Sequence, residues 1–169
     1  MFVFDATPLI YLSKARRLAI VEGFGGERVV PEAVYEEVVV AGVDQGYPDV
    51  RRIERKIDDG VFEVREAPET ATAERLRENP NLSRADVAVL ALADDRDGTA
   101  IMDEAYGRSV ADAEGIETRG TAYVVLSQLQ ADKLDGEEAR ATIDAMVEAG
   151  WYCSPDLYAK AVRKIESLS

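Results

Sequence analysis

The chain has 169 residues, enough for one domain with a substantial core. It contains no histidine and a single cysteine, Cys153, which excludes Ser-His-Asp and His–Cys catalysis, imidazole metal ligation, an internal disulfide and any CxxC site. Acidic residues outnumber basic ones 33 to 20, for a formal charge of −13, so chemistry is expected to rest on carboxylates, and any metal they hold should be a hard, oxygen-preferring ion such as Mg2+ or Mn2+.

Phe2, Val3 and Phe4 read as a short buried strand that stops at Asp5. Residues 8–19 carry helical spacing, with Leu9, Ile10, Leu12 and Leu18 apolar and Lys14, Arg16 and Arg17 basic. After Gly23, Gly25 and Gly26 a second strand is predicted at 28–30, and Pro31 suits the start of a helix that continues through Ala41. A helix at 49–57, a strand at 61–64 and a surface helix at 69–77 follow, with a loop at Asn79-Pro80-Asn81. Ser83 opens the strongest helix, SRADVAVLALADD, closed by the turn at Asp97-Gly98. Residues 99–102 form a strand ending at Asp103, a helix runs through Glu114, and 116–118 is a last strand. Helices at 121–133, 136–149 and 155–167 complete the chain. Short strands alternating with helices predict an α/β domain with a mainly parallel sheet. Cys153 reads as a small hydrophobe beside Trp151 and Tyr152. The opening residues lack the pattern of a secretory signal, and no stretch approaches the roughly 20 apolar residues of a membrane span, so a soluble cytoplasmic protein is expected.

Four carboxylates stand in costly places. Asp5 and Asp103 each end a strand, and open α/β sheets bind ligands at the carboxyl ends of their strands; each also fits the N-cap of the next helix. On a helical wheel Val34, Val38 and Ala41 mark an apolar stripe, with Glu37 at its margin facing inward and Glu36 facing water. A glutamate snorkelling at the stripe's edge is the alternative. Asp86 enters the buried helix one residue before its apolar run, and Ser83-x-x-Asp86 is also a capping box. Gathered together, four carboxylates repel unless a cation compensates. A divalent ion held by Asp5, Glu37, Asp86 and Asp103 supplies that compensation, with Glu104 and Thr7 as outer members. Lys14, Arg16, Arg17, Arg84, Arg108 and Arg119 flank these acids; Arg108, one helical turn beyond Glu104, is the favoured phosphate clamp, with a solvated helix face as the alternative for each. The acidic excess would ordinarily speak against nucleic acid, but adaptation to a saline cytoplasm accounts for it, and a halophile is the favoured source. Neither GxGxxG nor a Walker A sequence occurs, so no nucleotide cofactor is expected.

FDATPLIYLSK, VPEAVYEEVV, LSRADVAVLALA and IMDEAYGRSVADAEGIETRGT resemble, in order and spacing, the four motifs of the PIN-domain ribonucleases, a family that includes the VapC toxins. Asp5, Glu37, Asp86 and Asp103 stand at its acidic positions, and Thr7 at its usual Ser/Thr/Asn position. Glu104 stands where many relatives carry Asp, and Asp86 where this branch often carries Glu. The resemblance implies a three-layer fold over residues 1–169, with a central, mainly parallel, twisted sheet of four to five short strands flanked by helices. The helices from about 136 to 169 are expected as an appended packing or oligomer element. It implies an Mg2+- or Mn2+-dependent endoribonuclease with Asp5, Glu37, Asp86 and Asp103 catalytic. Asp5, Asp86, Asp103 and Glu104 would hold metal, and Thr7, Arg108, Lys14 and Arg84 would contact RNA. A small antitoxin partner, a homodimer and no membrane association belong to the same expectation. Two alternatives stay open: a PIN domain whose catalysis has decayed into a scaffold, and another carboxylate–magnesium phosphotransfer enzyme, although FDAT lacks the second Asp of a DxD phosphatase loop.

Overall fold

The structure is a computed structural model that describes the backbone of residues 1–169 and all side chains except those of residues 43 and 44. Its five short strands are β1 (Phe2–Phe4), β2 (Arg28–Pro31), β3 (Glu63–Arg65), β4 (Thr99–Ile101) and β5 (Glu117–Arg119). They form one sheet in the order β3-β2-β1-β4-β5, every neighbouring pair parallel. Parallel strands buried on both faces require continuous apolar runs, and Val3, Phe4, Val29, Val30, Ala100 and Ile101 supply them in the central strands. The edge strands Glu63–Arg65 and Glu117–Arg119 are the polar ones.

Ten helices connect and flank the sheet: α1 (Ala6–Lys14), α2 (Glu32–Tyr35), α3 (Ala41–Asp44), α4 (Pro48–Asp58), α5 (Ala71–Arg77), α6 (Arg84–Asp95), α7 (Ala105–Ala113), α8 (Thr121–Gln130), α9 (Gly136–Glu148) and α10 (Pro155–Leu168). Buried on nearly every side, α6 lies across β1, β2 and β4 with α2 and α5 against it. α1 packs on α4 and α9, and α8 on α9 and α10. From β1 the chain winds one way through β2 to β3, then crosses back to β4 and winds the other way to β5. Right-handed crossovers put connections of opposite sense on opposite faces, which gives the three layers. The order reverses between β1 and β4, and a crevice opens outside the strand ends where such a reversal occurs.

Three expectations shift. The first helix stops at Lys14, Arg16 takes a left-handed φ of 58°, and a 3-10 segment covers Leu18–Gly23. The strands at 61–64 and 116–118 move one or two residues later, because a ladder of hydrogen bonds starts only where both backbones run side by side. The helix expected through Ala41 passes from α2 into a π segment at Glu36–Val40 before α3. A π turn advances less per residue than the α-helical wheel assumes, so Val38 and Val39 are buried while Glu36, Glu37, Val40 and Ala41 are exposed. Cys153 is half-buried against the core.

Candidate metal centre

The register of β1 against β4 pairs Phe4 with Ile101, and the Asp5 N–H donates to the Ile101 carbonyl at 3.0 Å. The two strands therefore deliver Asp5 and Asp103 to the same edge, at the reversal of strand order. Asp5 is only 8% exposed. It occupies the N-cap position of α1, yet its side chain makes no capping hydrogen bond, so the helix-cap alternative does not account for it. Burial pushes its carboxyl up from 3.8 to about 6, the Ala6 amide pulls the other way, and the charges of Asp86, Glu37 and Asp103 push it further up. These three acids come from distant parts of the sequence, and Asp103 reaches the same sheet edge as Asp5 through the pairing of β1 with β4.

Asp86 does cap α6. Its Oδ2 accepts from the Ser83 N–H at 3.0 Å, and the Asp86 N–H donates to Ser83 Oγ at 3.0 Å. The capping role does not remove Asp86 from the acids whose charge bears on Asp5. Asp103 is held more firmly. Its Oδ1 accepts from the Thr121 N–H at 2.7 Å, and its Oδ2 from the Thr121 hydroxyl at 2.6 Å and the Trp151 indole N–H at 3.0 Å. A carboxylate offers about four lone-pair directions, so one remains. A Cβ at position 120 would stand 2.8 Å from Asp103 Oδ1, which is why glycine precedes Thr121.

Glu37 is exposed on the π segment; it lines a depression with Lys14 and Tyr47. Glu36 ion-pairs with Arg84 at 2.7 Å, so Arg84 is already engaged by a carboxylate. Glu104 turns to its own helix, accepting from the Tyr106 and Gly107 N–H groups at 3.0 and 2.6 Å as the N-cap of α7. Thr7 is half-buried in the first turn of α1. Lys14 is exposed, with Nζ 5.9 Å over the Tyr11 ring. Arg108 Nε donates to Thr118 Oγ1 at 3.3 Å, and its side chain faces a groove that includes Asp103. Arg16 and Arg17 line a separate depression with Lys133.

Among the described residues, no ion pair involves Asp5, Glu37, Asp86, Asp103 or Glu104. Nor, among the described residues, does any group of three acids stand where it could hold a metal ion. The donor chemistry nevertheless fits a hard divalent ion: every candidate donor is a carboxylate oxygen, and Asp5 is buried and appears in none of the described ion pairs. Trp151 is the partner of Asp103 that sequence reasoning missed. It approaches Asp103 from 48 positions away, and no local pattern marks that contact.

Residues 1–167 match the DUF3368 family, described as a PIN domain. No curated protein matches the chain.

Proposed function

This chain belongs to the PIN-domain family, a family of nucleases, and on that premise we propose that it is an Mg2+- or Mn2+-dependent endoribonuclease acting as the toxin of a VapBC-like pair. The observation that supports this most is the pairing of β1 with β4, which brings Asp103 and the buried Asp5 to one edge of the sheet, neither of them in any of the described ion pairs. A divalent ion bound there supplies Lewis-acid activation of water and screens charge on the scissile phosphate. Asp5, Asp86 and Asp103 are its ligands in this reading. Thr121 and Trp151 fix the rotamer of Asp103 and keep its free lone pair aimed at the centre, the usual task of groups behind a metal ligand. Glu37, the most exposed of the four, orients water from the rim. Glu104 contributes by capping the helix that carries Arg108, and Arg108 receives a phosphate oxygen. The antitoxin of such a pair is a small protein that masks these acids.

The test is cleavage of single-stranded RNA by wild type and Asp5→Asn, with and without chelator. Wild type cleaves in Mn2+, stops in excess EDTA and recovers when Mn2+ is restored. Asp5→Asn loses activity by on the order of a hundredfold or more, at least what loss of an outer partner of a metal ligand costs. Equal activity in all arms removes the assignment.

A further inference from the structure

A groove of about 440 Å3 that includes Asp103 runs along α8, from Ala122 to Gln130, and past residues between Tyr152 and Lys164. Resting on the nuclease reading above, we propose that this groove carries the single-stranded RNA flanking the scissile phosphate, with phosphates on Arg108, Arg119 and Lys164 and a base stacked on Tyr152. The chain as a whole repels polyanions, with its formal charge of −13, so RNA can approach only where cations are concentrated. Here three line one groove. Among the described ion pairs, Arg108 and Lys164 have no carboxylate partner, and Arg119 has one, Glu117 at 3.1 Å.

The aromatic residues complete the fit. Tyr152 is 84% exposed, so its ring is free to stack on a base. Its neighbour in the chain, Trp151, is buried and hydrogen-bonded to Asp103, which tethers Tyr152 within reach of the acids. Arg119 already lies over an aromatic face, with Cζ 5.4 Å from the centre of the Tyr123 ring. Cations alternating with exposed rings along a groove bind single strands, phosphates to the cations and bases to the rings. A protein partner would leave the three cations facing no complementary charge unless it too were acidic, so the polyanion is the better occupant.

Fluorescence anisotropy of a short labelled single-stranded RNA in EDTA tests the groove without any cleavage. Tyr152→Ala weakens binding by about five- to a hundredfold, the range for losing one base stack. Arg119→Ala with Lys164→Ala weakens it further and flattens its dependence on salt. Mn2+ uptake, measured in parallel from the free-ion paramagnetic resonance signal, stays intact in these variants, whereas Asp5→Asn loses it. Weakened RNA binding in the groove variants supports the groove even if wild type takes up no Mn2+, a result that would defeat the nuclease reading alone. Unchanged RNA affinity in both groove variants overturns the proposal. So does a dimer that Tyr152→Ala converts to monomer with RNA affinity intact, which makes the groove a protein interface.

Discussion

Asp5 is held at an energetic cost. A carboxyl whose pKa rises from 3.8 to about 6 on folding binds its proton more tightly in the folded chain than in the unfolded one. Between those values the folded state carries more protons, so stability falls as pH rises through the window and levels off above about 6. The shift corresponds to about 3 kcal/mol. In EDTA, Asp5→Asn should therefore match wild type near pH 4 and exceed it by up to about 3 kcal/mol at pH 7, measured by urea unfolding; equal stability at both values would mean that Asp5 is solvated. Asp103 shows the opposite economy, with three donors already on its carboxylate. Both acids were legible in the sequence because each ends a predicted strand. The partners of Asp103 were legible only in part, since Thr121 sits inside a recognisable motif while Trp151 arrives through tertiary packing.

The elements that position these acids are short and depend on their ends. α6 begins with a reciprocal cap between Ser83 and Asp86, which orients Asp86 and satisfies amides that would otherwise face the crevice unpaired. Ser83→Ala should cost about 1 kcal/mol and lower the melting midpoint by about 2–4 °C, while Ser83→Thr keeps most of the stability; calorimetry separates the two, and an unaffected Ser83→Ala would show that packing alone fixes the helix start. Ser83 marked the start of α6 in the sequence, and in the structure Asp135 and Ser154 likewise accept from the amide three residues on. The π segment was not readable, because a wheel drawn at a constant angle cannot register a turn that closes on the fifth residue. Hence Glu37 is exposed, where the wheel puts it inward. Strand order was hidden for another reason. Alternation of strands and helices predicts parallel pairing, yet only the register of β1 with both β2 and β4 locates the reversal at which Asp5 and Asp103 meet.

At the scale of the whole molecule two electrostatic problems overlap and can be separated. The described ion pairs lie at the surface, with at least one partner of each well exposed; such pairs contribute roughly 0–1 kcal/mol apiece and do not offset the self-repulsion of a chain at −13. If the acidic surface reflects a saline cytoplasm, raising KCl should steadily raise the thermal midpoint, and circular dichroism should show structure lost at low salt. Screening of this sort acts over the entire surface. The acids around Asp5 are a different case, since their repulsion is local and one bound divalent ion relieves it. Mn2+ at a hundred times its dissociation constant should add about 2.7 kcal/mol on top of any KCl effect. Asp5→Asn should abolish the Mn2+ increment and leave the KCl slope as it was, because one charge in 33 acidic side chains scarcely alters the surface field. Should Mn2+ stabilise wild type and Asp5→Asn alike, the ion would be acting as one more screening salt, and the convergence of carboxylates at the end of β1 would have no ligand to explain it.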